Sequence, residues 1–297
     1  TPLLPGSLTA SRHFARTMRT AVARLLLPVA LSSGALTPAA AQLPPAPAAK
    51  TGQTVTPVFE GWYRNGDGSF SLSFGYYNRN AAEVLEIPIG ADNFVAPGPV
   101  NQGQPMRFET RRHWGVFAIR VPANFEKGKV TWTLTVRGET FAIPGSLHPD
   151  WEIDALAGEA GSGNTPPILT FPSGGVVAQG PAGATAGPMS TRVGQPLSVA
   201  LRAIDDGRSS GSVASGGRSN VPVALIWFKH QGPGDVTFSP VSPRPAPADS
   251  MATTQVMFSA PGEYLLRVRA NDASGIAGAG HAQCCWTNGF VRVVVTP

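Results

Sequence analysis

The residues best placed to do chemistry lie late in the chain. Cys284 and Cys285 are the only cysteines and they are adjacent, with His281 shortly before them and Trp286 directly after. Thiolates and an imidazole are metal ligands, and paired thiols also oxidise. The pair can exist as a bridge between neighbours, as free thiols, as a bond to another chain, or as a metal site completed by His281. Free thiols do not persist in an oxidising compartment, and two of the three metal ligands would come from one short segment. Neighbouring Cα atoms lie about 3.8 Å apart across a trans peptide, against roughly 5.5 Å in an ordinary disulfide. The expectation is a strained vicinal bridge that stiffens its loop and presents Trp286 to a partner.

A second set is acidic. Asp205, Asp206, Asn271 and Asp272 offer oxygens to calcium, the one cofactor that enters the reading. Calcium takes six to eight oxygens, so carbonyls and water would have to complete the shell. The plainer reading is turn chemistry at strand ends. His148, Asp150, Glu152 and Asp154 read in the same way as a polar exit from the first domain. Arg111-Arg112-His113-Trp114 is a basic corner with an aromatic. It is either a docking patch, because Arg and Trp are enriched at interface hot spots, or a solvated hairpin end. Trp62, Tyr63, Tyr76 and Tyr77 stand near Asn65, Asp67, Asn78 and Asn80. They suit either a sugar-binding face or core aromatics flanked by turn formers.

No Walker loop, His-Glu-x-x-His or Rossmann glycine fingerprint occurs, and no carboxylate pair stands out as an acid–base couple. The chain therefore reads as a non-enzyme.

The elements that must position these groups are short strands. The chain has 297 residues with 34 Gly and 29 Pro, and only 14% are charged. That mix favours strands joined by turns over helices. The formal charge is +5, but Arg12, Arg16, Arg19 and Arg24 precede residue 42, where no acid lies. Without them 19 bases face 18 acids, which excludes a nucleic-acid partner. Residues 1–41 read as a leader. It has a basic stretch from Met18 to Arg24, an apolar run from Leu25 to Leu31, and Ala39-Ala40-Ala41 as a cleavage site. The leader is either removed or kept as the sole membrane anchor. Residues 42–57 form a Pro-rich spacer.

Residues 58–154 form a first sandwich. Phe70–Tyr76 and Thr131–Val136 alternate with period two, and Asn65-Gly66-Asp67-Gly68 is a hairpin turn. Further strands are expected over 58–63, 84–89, 106–111, 116–121 and 140–143. Residues 155–164 are a Gly-rich linker. Residues 165–297 form a second sandwich whose long loops, 205–221 and 271–288, share the pole facing the first. The fold class is all-β: two tandem antiparallel, immunoglobulin-like β-sandwiches after an N-terminal signal or anchor segment.

A resemblance sharpens the second half. Val193-Gly194-Gln195-Pro196-Leu197, Ala203-Ile204-Asp205-Asp206-Gly207, Ile226-Trp227 and Phe258-Ser259-Ala260-Pro261-Gly262-Glu263-Tyr264 resemble PKD and cadherin-like immunoglobulin modules of bacterial surface proteins. The run Gly61–Phe70 resembles uncharacterised bacterial secreted proteins. The architecture is similar in kind to periplasmic subunits that brace membrane complexes, photosynthetic reaction-centre–antenna assemblies among them. The resemblance implies a periplasmic or extracellular accessory or scaffold subunit that docks on a membrane protein complex at the outer face of the cytoplasmic membrane. A secreted carbohydrate- or surface-binding protein is the alternative. Interface candidates are Arg111, Arg112, His113, Trp114 and Trp286.

Overall fold

Residues 130–136 read Val-Thr-Trp-Thr-Leu-Thr-Val, and a period of two sends the apolar side chains to one face of a strand. Val130, Trp132, Leu134 and Val136 are all buried. The computed structural model describes residues 49–156, 163–208, 223–272 and 283–297. Among them it is all-β, with one 3-10 turn, Pro149–Trp151, and no α-helix. The expected leader lies outside the described residues.

The first sandwich contains β1 (Val55–Arg64), β2 (Phe70–Asn78), β3 (Leu85–Glu86), β4 (Asn93–Ala96), β5 (Arg107–Phe108), β6 (Arg111–Val121), β7 (Val130–Val136) and β8 (Glu139–Gly145). One sheet runs β1-β2-β6, the facing sheet runs β4-β7-β8, and β3 pairs with β5. The Asn65–Gly68 turn joins β1 to β2, with the Asn65 N–H donating to the Ser69 carbonyl at 2.9 Å. The sheets meet on aromatic edges and faces. Phe74 stacks on Phe117 at 5.4 Å, and Phe117 meets Trp132 edge-on at 5.0 Å.

Three boundaries differ from expectation. β1 begins at Val55, inside the stretch read as spacer, because Val55 is buried in the core. The strands expected over 84–89 and 106–111 shrink to β3 and β5, since Pro88 and Pro105 supply no N–H to a ladder. β6 starts at Arg111, so the basic corner belongs to a strand paired with β2.

The second sandwich contains β9 (Ile168–Phe171), β10 (Val176–Gln179), β11 (Ala184–Arg192), β12 (Leu197–Ile204), β13 (Ala224–Gln231), β14 (Val236–Ser239), β15 (Met251–Phe258), β16 (Gly262–Asn271) and β17 (Trp286–Thr296). Its sheets run β10-β9-β12-β15-β14 and β11-β17-β16-β13. Pairing is antiparallel except between β11 and β17, which run parallel. Leu169, Leu201, Trp227, Val256 and Leu266 lie in the core between the sheets. Near the start of β16, the Tyr264 hydroxyl donates to the Ala260 carbonyl at 2.8 Å and accepts the Gly234 N–H at 3.0 Å. A tyrosine tied back to nearby backbone in this way is a hallmark of immunoglobulin sandwiches.

A surface strand of a sandwich buries every second residue. β15 and the end of β17 do so, but Trp286–Val291 are buried without a break. β2 shows the same continuous burial from Phe70 to Tyr76. Both outer faces are therefore covered, each by the other sandwich. Pro47–Pro297 accordingly form one compact unit.

Tyr264→Phe should destabilise the chain by about 1–2 kcal/mol by leaving the Gly234 N–H unpaired, measured by chemical denaturation against the parent.

Candidate functional site

The buried junction between the sandwiches collects the side chains with chemical potential. At its centre Trp286 packs against Gly115. A Cβ at position 115 would sit 2.5 Å from the indole Cζ2, and Gly115 adopts a φ of 43°. The indole Nε1 donates to the Gly115 carbonyl at 3.4 Å, and Asn288 Nδ2 donates to the same oxygen at 2.6 Å. Trp286 is thus wholly buried within its own chain. This corrects the expectation that its loop presents it to a partner: the indole needs the glycine opposite and fills it.

The basic corner turns inward for a related reason. Glu60 on β1 is buried, and Arg112 Nη2 meets its Oε2 at 2.6 Å. Arg112 Nη1 also donates to the His113 carbonyl at 2.9 Å, and the guanidinium lies 3.8 Å over the Trp114 ring. Burial raises the Glu60 pKa, and the Arg112 pairing opposes it. Gln283 closes the seam by donating to the Glu60 carbonyl at 2.7 Å. Arg112 and His113 are therefore partners of buried groups, and of Arg111–Trp114 only Arg111 is exposed, the other three being half-buried.

A ladder of rings and cations continues across the junction. His113 stacks on Tyr76 at 4.9 Å and meets Phe228 edge-on at 5.9 Å. Arg267 and Arg269, alternate residues of β16, place their guanidinium carbons 4.5 and 5.7 Å from the Phe228 centroid. His113 Nε2 lies 3.1 Å from the Thr110 carbonyl, and His230 Nε2 lies 2.7 Å from the Gly103 carbonyl. Carbonyls only accept, so both of these nitrogens carry the proton. Burial and the Arg267 charge push both imidazoles down to about 3. At the far rim, Gln231 pairs with Asn101 and Gln104, and Lys229 meets Glu86 at 3.2 Å. A cleft of about 570 Å³ opens there beside Gln102, Glu263 and Arg292.

Cys284 and Cys285 are bonded to each other across a cis peptide, rather than the trans peptide of the sequence argument, and both are buried. Their sulfurs are spent on that bond and so offer no thiolates to a metal. His281 lies outside the described residues. The calcium candidates are occupied by protein donors. Asp206 accepts from the Thr165 and Arg208 N–H groups at 3.0 and 2.8 Å, Asp205 from the Gly207 N–H at 2.9 Å, and Asp272 from Asn164 Nδ2 at 2.7 Å. Asn271 Nδ2 donates to the Asp272 carbonyl at 3.2 Å. Burial, with Asp272 and Asp206 nearby, raises the Asp205 carboxyl to about 6. Among the described residues no group of three or more His, Cys, Asp or Glu converges as a ligand set.

Of the two readings of the aromatic–amide set, core aromatics flanked by turn formers fit the burial: Trp62, Tyr63 and Tyr76 are buried, as are Asn78 and Asn80. Tyr77 alone of these aromatics is exposed. Glu60, Gly115, His230, Arg267, Arg269 and Asn288 carry the junction and were not singled out by sequence. One signal was available: with Leu266, Val268 and Ala270 facing the core, Arg267 and Arg269 must share the opposite face. Gly207-Arg208-Ser209-Ser210-Gly211 has a nucleophile-elbow spacing, but Ser209 lies outside the described residues and Gly207 follows β12 in a loop.

No protein-family model matches the chain, and neither does any curated protein. Among solved structures it is similar to a chimeric titin Z1Z2 carrying a KLER peptide from decorin. The identity is 10%, covering 83% of this chain and 100% of that one, with a TM-score of 0.23. The immunoglobulin-like assignment rests on the sheets and the Tyr264 tie described above.

Gly115→Ala should destabilise the chain by about 1–3 kcal/mol, since the added methyl meets the indole, with a changed tryptophan emission as the readout. A second outcome concerns pH. The unfolded imidazoles of His113 and His230 take up protons near 6.5, whereas the folded ones wait until about 3. The unfolded state therefore binds more protons in that window, and these groups remove stability as pH falls from about 6.5 to about 3. Denaturation midpoints across that range should fall, less steeply in His113→Gln and His230→Gln.

Proposed function

We propose that the chain is a non-catalytic accessory subunit: a rigid spacer that docks on a larger membrane protein complex at the outer face of the cytoplasmic membrane. The observation that carries this reading is the junction. Its charged and aromatic groups hold two sandwiches as one body, and a rigid body suits bracing better than catalysis. The PKD- and cadherin-like features of the second sandwich and the signal-like leader favour a periplasmic or extracellular site. Assemblies of the photosynthetic reaction-centre–antenna kind are one class of partner that fits. Trp151 replaces Trp286 as the aromatic contact: it is 50% exposed and packs against Phe59 at 5.8 Å with the rings tilted by 48°. Tryptophan anchored in this way is a common hot-spot residue.

The test is extraction of native membranes in mild detergent, followed by size-exclusion chromatography and mass spectrometry. Co-migration with membrane proteins, weakened by Trp151→Ala, is expected; a chain that runs alone as a monomer would sink the proposal.

A further inference from the structure

Arg267 is 2% exposed, yet its charge meets no carboxylate within salt-bridge distance among the described residues. Its recorded polar contact is Nη1 to Asn288 Oδ1 at 3.3 Å. Two strand positions on, Arg269 likewise has no acidic partner, and it is only partly buried. The buried Nε atoms of both arginines lack a hydrogen-bond partner. Phe228 lies beneath both guanidinium groups. A ring face attracts a cation but gives an N–H no lone pair. Burying a charge without a partner costs several kcal/mol, and a buried unpaired donor adds to that. Two adjacent cations with unused donors thus form an incomplete set whose missing member is an acceptor carrying negative charge.

We propose that Arg267 and Arg269 form a binding site for a small oxyanion at the junction, with Phe228 as its floor and the half-buried Arg269 as its mouth. The ligand class is a carboxylate or phosphate oxygen group, the geometry that planar guanidinium donors match. Desolvation pushes Arg267 down to about 9 and Arg269 to about 10, and bound negative charge would counter both. His113, Tyr76 and Glu109 of the first sandwich interact electrostatically with Arg267. An anion here would bridge β16 to the first sandwich. The inference does not depend on the docking reading.

Isothermal titration of the full chain with inorganic phosphate, and separately with acetate, at constant ionic strength in chloride tests it. Saturable binding of one anion per chain is expected from at least one of the two, and the arm that binds identifies the source. Arg269→Gln, with its fold checked by near-ultraviolet circular dichroism, should weaken binding by about tenfold or more, the loss of a charge-assisted hydrogen bond. Arg202→Gln, on the exposed side of β12 in the other sheet, should leave binding unchanged. Failure of both anions to saturate the folded parent, or equal affinity in parent and Arg269→Gln, would overturn the proposal.

Discussion

The structure depends on one constraint: the outer face of the β13-β16-β17 sheet cannot be left in water. It carries Phe228, Trp286 and Phe290 between its polar groups, and a sandwich can bury only its inner faces by itself. The first sandwich supplies the cover, and it can do so only where its own outer face is small enough to admit an indole. Gly115 provides that relief. Inter-domain contacts within one chain are usually mobile and modest. This one is interlocked by side chains from both partners, and the continuous burial of Trp286–Val291 records it.

The junction is polar as well as apolar, and this decides what it does. Glu60 and Arg112 gain little net stability as a pair, because desolvation offsets their attraction. Breaking the pair would leave a buried charge, so the pair fixes register. Asn288, holding two carbonyls on different segments, acts in the same way. Directional hydrogen bonds of this kind select one arrangement of the sandwiches over its neighbours.

Much of the fold was legible because period two is a local signal. Residues 130–136 announced β7, and Asn65–Gly68 announced the β1–β2 turn. Short elements were not legible: β4 holds too few residues to show a period, and β10 follows a turn that sequence does not single out. The site was less legible still. Arg112 and Trp114 carry interface chemistry, but no local pattern states that the partner is the same chain. Trp286 next to two cysteines suggested display, whereas its environment is set by a glycine far away in sequence. Asn288 and Gly289 have low strand propensity and hid the first half of β17, which tertiary cover makes a strand.

The contact between Trp286 and Gly115 spans 171 residues. Contacts so remote in sequence close late, after local hairpins and each sandwich core have formed. β17 is synthesised after every other described strand, so the first sandwich must stand for a time with Arg112, His113 and the Gly115 hollow facing solvent. During synthesis the chain thus passes through a stage of two unjoined bodies, each offering the other an open and sticky face. Surveillance by chaperones and proteases would act on that stage, which makes β17 a latch that decides whether the molecule leaves it.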